Sequence, residues 1–420
     1  MTHPLHYSLE QHFTNNLPTY LTYLQEMVAI NSFTANAEGI NALGEWTADL
    51  FAPLGFTAET VQSVHPEFGK HLILTRNGRS APTNSPPKIG LVSHLDTVFP
   101  PEEEAANQFH WRPEEHPNGQ RIYGPGTVDI KGGTLLIYMI LDGLRHFAPD
   151  LFEATTWVLL FDASEEADGA DFGQLCLDRL APDALACLVF EGGYFEQNRF
   201  KIVTARKGMA VYDIEVEGKA AHAGTAHEQG ANAIVQLSDL IQQLKTFTDY
   251  ERDLTFNIGY IEGGTVVNRV PHQARAIMEM RCFDTAVYDE ALQRTLALNE
   301  LSTVSNGDGS YPCRVNIVVN RQMVPWPQNE ATERLYDIWQ KTAVSLNYET
   351  KPEARGGLSD GNYIWHAVPT LDGLGPAGGN AHCSERSPDG SKDQEYVFVP
   401  SFVPKALLNT LAIMELVRSA

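Results

Sequence analysis

Two hydrophobic patterns divide the chain, and the first consists of short apolar runs separated by helical periodicity. The apolar runs predict buried strands at His71–Thr75, Ile89–Val92, Trp157–Phe161 and Leu185–Phe190. Spacing of three and four between apolar residues predicts helices at Thr134–Leu144 and Ala331–Leu346. Continuous apolar strands between amphipathic helices are typical of an α/β sheet covered by helices on both faces.

The pattern changes near Lys207, where apolar and acidic residues begin to alternate. Val211–Glu217 alternates strictly and predicts a strand with one buried face, and Ala233–Leu244 has helical spacing. Further strands are predicted at Leu254–Ile261, Ala274–Arg281 and Arg314–Val319, with a helix at Asp289–Leu298. The order β-α-β-β-α-β is that of a small ferredoxin-like domain.

After about Gln322 the helix and strand pattern of the first half resumes. We therefore predict a large α/β/α domain formed by residues 1–206 and 322–420, interrupted by an inserted ferredoxin-like α+β domain at residues 207–321. The one stretch rich in Ser, Pro and Asn, Gly78 to Lys88, is short enough to be a surface loop.

Composition and charge narrow the classes of function. The 420 residues are 43% hydrophobic, which is enough for a large core, and 53 acidic against 30 basic residues give a net charge of -23. Such a charge repels nucleic acid and anionic membranes, so we expect neither as a partner. No run approaches the roughly 18 apolar residues of a membrane helix.

The termini and cysteines bear on localisation. The first 20 residues lack the basic start and apolar run of a signal peptide. The five cysteines are widely spaced and form no CxxC pair, which is typical of reduced thiols. We therefore expect a cytoplasmic protein.

Candidate chemistry lies where the predicted strands end. Histidine or carboxylate residues occur in five such segments: Ser93–Thr97, Gly126–Asp129, Ser164–Glu166, Phe190–Gly193 and Gly379–His382. In an open α/β sheet the carboxyl ends of the strands form the crevice in which ligands bind. Carboxylates crowded into one crevice repel one another unless cations neutralise them, so the pattern predicts a metal site.

The types of donor indicate which metal and how many ions. Mixed histidine and carboxylate ligands favour zinc, with cobalt or manganese as substitutes, over the all-oxygen sites of calcium. Two histidines and three carboxylates, one of them bridging, would give each of two ions three protein ligands. A coordination position would then stay open for water, which is typical of a catalytic site.

Each of these signals has a structural alternative when taken alone. His94 could be a core histidine that Asp96 orients, and the pair Glu165 and Glu166 could form a solvated turn. Asp129, just before Lys131, could cap a helix. The joint occurrence of these residues at strand ends favours the metal site.

Several motifs together carry a resemblance to a known family. They are His94–Val98, Gly124–Gly126, Asp129–Gly133, Glu165–Glu166, Gly218–Gly224, Gly263–Pro271 and Gly356–Gly361. In this order they resemble the co-catalytic zinc peptidases and deacylases, which include carboxypeptidase G, acetylornithine deacetylase, succinyl-diaminopimelate desuccinylase and aminoacylase. The resemblance spans nearly the whole chain and is greatest to carboxypeptidase G, a glutamate carboxypeptidase.

The resemblance implies a role for each metal-site residue. His94 and Glu191 would bind one zinc ion, Glu166 and His382 the other, and Asp129 would bridge them. Glu165 would be the general base and Asp96 would hold His94. Without the family the sequence leaves open which of Glu165 and Glu166 ligates. The resemblance also implies a cis peptide bond between Asp129 and Ile130.

The resemblance implies further roles within the inserted domain and near its end. His222 matches a histidine that reaches the active site of the neighbouring subunit in dimeric members and stabilises the oxyanion; the alternative is a surface-loop histidine. Asn268 and Arg281, and less closely Arg321, match residues that hold the substrate carboxylate. Gly357 would let backbone amides approach the ligand.

The function that the resemblance implies is amide hydrolysis by a zinc-bridged hydroxide, releasing an amino acid from a small peptide or an N-acyl amino acid. The inserted domain would act as a lid and dimerisation domain in a homodimer. An N-acyl amino-acid deacylase or a dipeptidase with the same centre is the first alternative. The second is a non-catalytic protein that binds metal or an amino acid. Residues 167–174 and 375–387 depart from the family pattern and leave the substrate open.

Overall fold

The computed structural model describes residues 4–79 and 85–419, so the loop predicted at Gly78 to Lys88 lies partly outside the described residues. The chain divides into two compact units. The main unit comprises residues 1–204, 328–353 and 359–420, and the inserted unit comprises residues 205–327 and 354–358. Residues 205–206, 322–327 and 354–358 belong to the inserted unit, although the predicted domain limits of 207 and 321 leave them outside it.

The helices of the main unit within the described residues are α1 (Pro4–Val28), α2 (Ala37–Phe51), α3 (Pro101–Ala106), α4 (Lys131–Phe147), α5 (Pro149–Ala154), α6 (Ala170–Leu180), α9 (Glu330–Ser345), α10 (Gly361–Ile364) and α11 (Phe402–Ser419). The inserted unit contributes α7 (Ala233–Lys245) and α8 (Thr285–Leu296).

The first strands in chain order are β1 (Thr57–Gln62), β2 (Lys70–Arg76), β3 (Lys88–His94), β4 (Arg112–Glu114), β5 (Arg121–Tyr123), β6 (Thr156–Asp162), β7 (Ala184–Val189), β8 (Tyr194–Glu196) and β9 (Arg199–Arg206). They are followed by β10 (Gly208–Glu217), β11 (Thr255–Gly263), β12 (Gln273–Cys282), β13 (Arg314–Met323), β14 (Glu349–Arg355), β15 (Thr370–Leu371), β16 (Gly378–Gly379) and β17 (Tyr396–Phe398).

A six-stranded sheet in the order β1-β2-β6-β3-β7-β15 forms the centre of the main unit. Strands β6, β3, β7 and β15 run parallel to one another, whereas β1 and β2 are antiparallel to their neighbours. Successive residues of β6 point to opposite faces of the sheet, where they join two separate apolar clusters. Leu159 belongs to the first cluster and Leu160 to the second. The first cluster includes residues of α1, α4 and α11, and the second includes residues of α6 and α10. The sheet is therefore covered on both faces, as its continuous apolar strands predicted.

A smaller four-stranded sheet in the order β16-β17-β5-β4 belongs to the same unit. Its central strand β17 pairs antiparallel with β5 on one side and with β16 on the other. The strand predictions in this part of the chain named none of these four strands, because each has only two or three residues. This sheet matters for the site, because two functional loops leave it.

The inserted unit is a four-stranded antiparallel sheet in the order β11-β12-β10-β13 with two helices. Tyr212, Ile214 and Val216 of β10 are buried with α7 and α8, and the residues between them lie on the other face. The order of elements and of strands is that of the ferredoxin-like fold, as the sequence predicted.

The predicted elements agree with the structure to within a few residues at their ends. The largest differences are four residues: β13 continues to Met323 rather than ending at Val319, and α8 begins at Thr285 rather than at Asp289. Asp284 caps α8 by accepting a hydrogen bond from the Val287 amide. Among the described residues, no helix is both long enough and apolar enough to cross a membrane.

Candidate metal centre

Three adjacent strands of the large sheet deliver candidate ligands to one edge. The parallel strands β6, β3 and β7 lie side by side, so their carboxyl ends meet. His94 is the last residue of β3, Glu165 and Glu166 follow the end of β6, and Glu191 follows β7. The apolar strands thus bring together side chains from three strand ends that are 25 to 97 positions apart in the chain.

Two loops from the small sheet supply the remaining candidates. Asp129 lies in the loop between β5 and α4, and His382 lies in the loop after β16. The Asp129 carboxylate contacts a histidine with each oxygen: Oδ1 is 3.0 Å from His94 Nε2 and Oδ2 is 3.2 Å from His382 Nε2. A carboxylate with one oxygen toward each side is positioned to bridge two cations.

The donor atoms form overlapping groups in which all atoms lie within 4.8 Å of one another. One group is His94, Asp129 and Glu191, and another is Asp129, Glu166 and His382. A third group joins His94 with Glu165 and Glu166. The first two groups share Asp129 and have the same members as the two ligand sets that the family resemblance implies. The division of roles within them stays a prediction.

The hydrogen bonds of His94 fix which ring nitrogen faces the group. Its Nδ1 is 3.0 Å from the main-chain oxygen of Asp96 and 3.4 Å from the Asp96 carboxylate, so Nδ1 carries the proton and donates it. Nε2 then faces Asp129 and Glu191, 3.0 and 3.7 Å away, and hydrogen-bonds to the Asp129 carboxylate; it would become a metal ligand on releasing that proton. A ring nitrogen oriented in this way is typical of a metal ligand.

The Asp96 carboxylate organises the turn that carries the glutamate pair. It accepts the backbone N–H of Glu165 and of Glu166, each at 3.2 Å, and the hydroxyl of Thr34 at 2.7 Å. Asp96 is 1% exposed, so these bonds are shielded from water. Asp96 therefore holds both the imidazole of His94 and the turn after β6.

The ionisation of the cluster reflects its crowding. Burial and the charges of Glu191 and Glu166, opposed by His94, raise the pKa of Glu165 well above its ordinary value. Burial also raises the pKa of Glu166. Although burial opposes it, hydrogen bonding to His382 and His94 holds the pKa of Asp129 below its ordinary range. Hydrogen bonds to Asp129 and Glu166 raise the pKa of His382 to about 11.

The histidine and carboxylate atoms of the cluster are better satisfied by divalent cations than by protons and hydrogen bonds alone. Glu166 Oε1 is buried and has no hydrogen-bond partner among the described residues, although it belongs to a group of three donors. Imidazole nitrogens mixed with carboxylate oxygens are the ligands that zinc prefers. Cations placed in these groups would also relieve the repulsion that raises the pKa values of Glu165 and Glu166.

The structural alternatives for single residues are not what the structure shows. Asp129 does not cap α4: the N-cap is Ile130, and the capping position has no side-chain hydrogen bond. Glu165 and Glu166 do lie in a turn, but the Glu166 side chain is only 8% exposed. The peptide bond between Asp129 and Ile130 is cis, which confirms that expectation.

The inserted unit carries the remaining predicted residues, beginning with His222. Its side chain is exposed, and its Nδ1 accepts the backbone N–H of Gly224 and of Thr225, each at 3.1 Å. The proton must then be on Nε2, which leaves an outward-facing N–H donor. Asn268 is near, since its main-chain oxygen accepts the N–H of Ala223, and its side chain is exposed.

The two arginines lie on one face of the inserted sheet. Arg281 is opposite Met209 and Arg321 is opposite Val211, so both are on the face away from α7 and α8. Arg281 donates to the Gly356 carbonyl at 3.1 Å and to Glu279 at 3.1 Å. Arg321 Nε has no hydrogen-bond partner among the described residues.

Gly357 is exposed, and its carbonyl accepts a hydrogen bond from buried Arg206 at 2.9 Å. Arg281 also lies near Gly357, because it donates a hydrogen bond to the carbonyl of the preceding residue, Gly356. The structure thus groups His222 with Asn268, and Arg281 with Gly357, inside the inserted unit. The predicted metal-site residues all lie in the main unit.

Two residues at the metal centre escaped the sequence reasoning. Thr34 donates to Asp96, and Glu395 accepts the backbone N–H of Val128 at 3.0 Å and of Asp129 at 3.3 Å. Burial and the charge of Asp129, offset by these hydrogen bonds, raise the pKa of Glu395 to about 8. Neither residue lies in a motif or at the end of a predicted strand, so no signal in the sequence pointed to them.

Comparison with known proteins adds a family and a set of relatives. The model of "Peptidase family M20/M25/M40" matches residues 90–390. Carboxypeptidase G2 of Pseudomonas sp. (strain RS-16) is 26% identical over 413 residues, which are 97% of this chain and 92% of that protein. Acetylornithine deacetylase of Klebsiella pneumoniae (strain 342) is 27% identical over 283 residues, which are 64% of this chain and 68% of that protein.

Among solved structures, a tripeptidase from Staphylococcus aureus has the same fold, with a TM-score of 0.71 and 22% identity. The match covers 95% of this chain and 98% of that chain.

Proposed function

Because this chain belongs to peptidase family M20/M25/M40, whose members are metal-dependent hydrolases, we propose that it is a two-zinc enzyme that cleaves an amide bond and releases an amino acid. The reaction is that of a glutamate-carboxypeptidase-like exopeptidase acting on a small peptide or an N-acyl amino acid. One observation carries the proposal: the two oxygens of Asp129 face different histidines in two groups of three donors.

The proposed ligands follow from these groups. His94, Asp129 and Glu191 would hold one zinc ion, and Asp129, Glu166 and His382 the other; cobalt or manganese could replace zinc. When bound, such ions supply Lewis acidity that polarises a carbonyl and lowers the pKa of water toward neutrality. The histidines serve as neutral ligands, so they must release their protons when the ions bind.

Glu165 is the proposed general base. It belongs to a donor group with His94 and Glu166, and its backbone is fixed by the hydrogen bond to Asp96. Its carboxylate takes a proton from the attacking water and returns it to the nitrogen of the leaving amine.

The proposed substrate-binding groups belong to the inserted unit. The Nε2–H of His222 would donate to the scissile carbonyl oxygen, and in a homodimer this would be His222 of the partner subunit. Arg281 and Arg321, with Asn268, would bind the carboxylate of the substrate. Gly357 would offer a backbone contact where no side chain obstructs the ligand.

A homodimer joined by the inserted unit is part of the proposal. The edge strand β11 has unpaired backbone groups and carries exposed Tyr260 and Ile261. Ile234 of α7, which is 36% exposed, lies against Gly264 at the end of that strand, and Val267 is fully exposed. An exposed apolar strip beside an open sheet edge favours pairing with a second copy. We further propose that the protein is cytoplasmic and that the inserted unit acts as a lid.

The leaving amino acid decides between the related activities. Similarity to carboxypeptidase G2 across 97% of the chain supports a glutamate carboxypeptidase. Similarity to acetylornithine deacetylase favours the alternative of an N-acyl amino-acid deacylase, and a dipeptidase would use the same donors.

A substrate panel tests the proposal. Zinc-loaded protein should release glutamate from N-acyl-glutamates and peptides ending in glutamate faster than it hydrolyses N-acyl-ornithine, N-acyl-arginine or free dipeptides. The same protein after chelation is the control. Faster hydrolysis of acylated basic amino acids would assign the deacylase alternative instead. Failure to hydrolyse any member while two ions remain bound would indicate a non-catalytic binding protein.

A further inference from the structure

Glu395, just before β17, contacts both loops of the small sheet that supply metal-centre residues. We propose that Glu395 is a positioning residue that holds Asp129 and His382 in place for the cation they share. The inference rests on the proposed function, because it concerns one of the two proposed ligand groups. It assigns no contact with substrate to Glu395.

The topology of the small sheet places Glu395 between the two loops. In the register, Tyr396 is opposite Tyr123 at the end of β5 and opposite Gly379 at the end of β16. The loop to Asp129 and the loop to His382 therefore leave the sheet on either side of β17, where Glu395 enters it. A single residue at this point can fix both loops.

Four hydrogen bonds connect Glu395 to the loops. Its carboxylate Oε1 accepts the backbone N–H of Val128 at 3.0 Å and that of Asp129 at 3.3 Å. Its own N–H donates to the Cys383 carbonyl at 2.7 Å, and its carbonyl accepts the N–H of Gly124 at 3.3 Å. The main chain of Glu395 thus binds the residue after His382, and its side chain binds Asp129 itself.

The surroundings make these bonds difficult to replace. Glu395 is 0% exposed, so water has no access to substitute for a lost acceptor. The two loops also approach closely, because a Cβ on Gly378 would lie 2.7 Å from Val128 Cγ2. His382 has a φ of 65°, a left-handed conformation that residues other than glycine adopt rarely and that neighbouring contacts must stabilise.

The consequence for metal binding is asymmetric. The group of Asp129, Glu166 and His382 takes two of its members from the loops that Glu395 holds, whereas the group of His94, Asp129 and Glu191 takes one. Removing the Glu395 carboxylate should therefore lower the affinity for the ion held by Asp129, Glu166 and His382 more than the affinity for the other ion. Losing a residue that orients metal ligands typically lowers affinity by about 10- to 100-fold.

Three variants separate the acceptor from side-chain volume. Glu395→Met keeps the length and bulk of the side chain but removes the acceptor, and Glu395→Gln keeps a carbonyl acceptor. The matched control is Asn232→Ala, which also removes one side-chain oxygen that accepts two backbone N–H groups, those of Ile234 and Val235. Asn232 caps α7 in the inserted unit and is outside the metal centre.

Two measurements on the full chain read out the effect without relying on activity. Competition with a chromophoric chelator gives the affinity for each zinc ion. Hydrogen exchange of the metal-free protein gives the protection of the Val128 and Asp129 amides. For Glu395→Met we expect one ion to bind about 10- to 100-fold more weakly, and both amides to exchange faster. We expect Glu395→Gln and Asn232→Ala to keep the affinity of the wild-type protein for both ions.

The outcomes distinguish this inference from the proposed function. If Glu395→Met binds both ions as tightly as the wild-type protein, or if Glu395→Gln loses as much affinity as Glu395→Met, the positioning role is wrong. If the wild-type protein binds no zinc, the proposed function fails. Hydrogen exchange at Val128 and Asp129 then still decides whether Glu395 holds the loop, because unchanged exchange in Glu395→Met would overturn that as well.

Discussion

The candidate ligands of the main unit and the candidate substrate-binding residues of the inserted unit differ in burial and in partners. The side chains of His94, Glu166 and Glu191 are 1%, 8% and 12% exposed and face one another. His382 is 52% exposed, but its Nε2 is held by the carboxylates of Asp129 and Glu166, each 3.2 Å away. His222 and Asn268 are exposed, and the Arg281 side chain is 29% exposed and bonded within its own unit. The candidate metal centre is therefore fixed by contacts inside the protein, whereas the candidate substrate-binding residues can still gain partners from a ligand.

From this contrast we expect substitutions in the main unit to affect metal binding and catalysis, and substitutions in the inserted unit to affect interactions with the substrate. Buried groups that bind one another cannot be altered without changing charge balance or metal binding. Exposed donors such as the Nε2–H of His222 can be removed with little cost to the fold. Four predictions test this division, beginning with the largest effect.

The first prediction concerns the proposed base in the main unit. Glu165→Gln should lower kcat by about 100- to 10,000-fold, because the amide cannot accept and return the proton. Zinc stoichiometry, measured by atomic spectroscopy on the same sample, should stay at the wild-type value. A variant that retains full turnover would show that Glu165 is not the base, and one that loses zinc would show that it is a ligand instead.

The second prediction concerns His222 in the inserted unit. His222→Ala should lower kcat by about 100- to 1,000-fold through loss of a donor to the oxyanion, with metal content and unfolding free energy unchanged. His222→Gln is the matched control, because its amide can restore an N–H donor. Steady-state kinetics would contradict the role if His222→Ala changed only KM.

The third prediction concerns a buried ionic network in the main unit beyond the metal centre. His71 is 1% exposed, with Nδ1 3.1 Å from Asp162 and Nε2 3.1 Å from Asp171. Although burial opposes it, hydrogen bonding to these carboxylates raises the pKa of His71 from 6.5 to about 9. Because the folded-state pKa is the higher one, this stabilisation is complete below pH 6.5 and is lost as pH rises through 9.

The shift of His71 corresponds to at most about 3 kcal/mol of unfolding free energy. Hydrogen exchange measured separately for the two units should show that the amides of the main unit are less protected at pH 9.5 than at pH 6. In the inserted unit the Asp213–Arg275 pair keeps its charges across this window, since the pKa of Asp213 is lowered and that of Arg275 is raised. His71→Gln should flatten the response of the main unit; an equal response in that variant would contradict the assignment.

The fourth prediction has the smallest expected effect. Arg281→Lys should raise KM for a substrate with a free carboxylate by roughly 10- to 100-fold, because lysine lacks the planar fork that donates two parallel hydrogen bonds. The kcat should change less than in His222→Ala. An equal rise in KM for an amidated substrate would show that Arg281 does not bind the carboxylate.

Much of the main unit could be predicted from the sequence because its signals are local. The apolar runs of β3, β6 and β7 are continuous, so the positions of His94, Glu165 and Glu191 at strand ends followed from them. Helix α1 was missed although its signal is present: Leu9, Phe13, Tyr20 and Leu24 are buried at helical spacing. The family resemblance, which the comparison confirms, supplied the division of ligand roles that spacing left open.

The rest depends on contacts between distant segments. Thr34 lies 62 residues from Asp96 and Glu395 lies 266 residues from Asp129, so only the folded chain shows that they meet. The short strands β16 and β17 have too few residues to produce a pattern, yet they set both loops at the centre. Substrate specificity was equally hidden, because exposed side chains carry no hydrophobic signature.

The central claim is that Asp129 is shared by two cation sites, and counting bound zinc in the wild-type protein and in Asp129→Ala tests it most directly. After equilibrium dialysis against zinc, the wild-type protein should hold two ions per chain, and Asp129→Ala should bind both far more weakly. Asp171→Asn, a change of a carboxylate outside the centre, should still hold two. A wild-type protein without zinc, or an Asp129→Ala variant that retains both ions at wild-type affinity, would contradict the account.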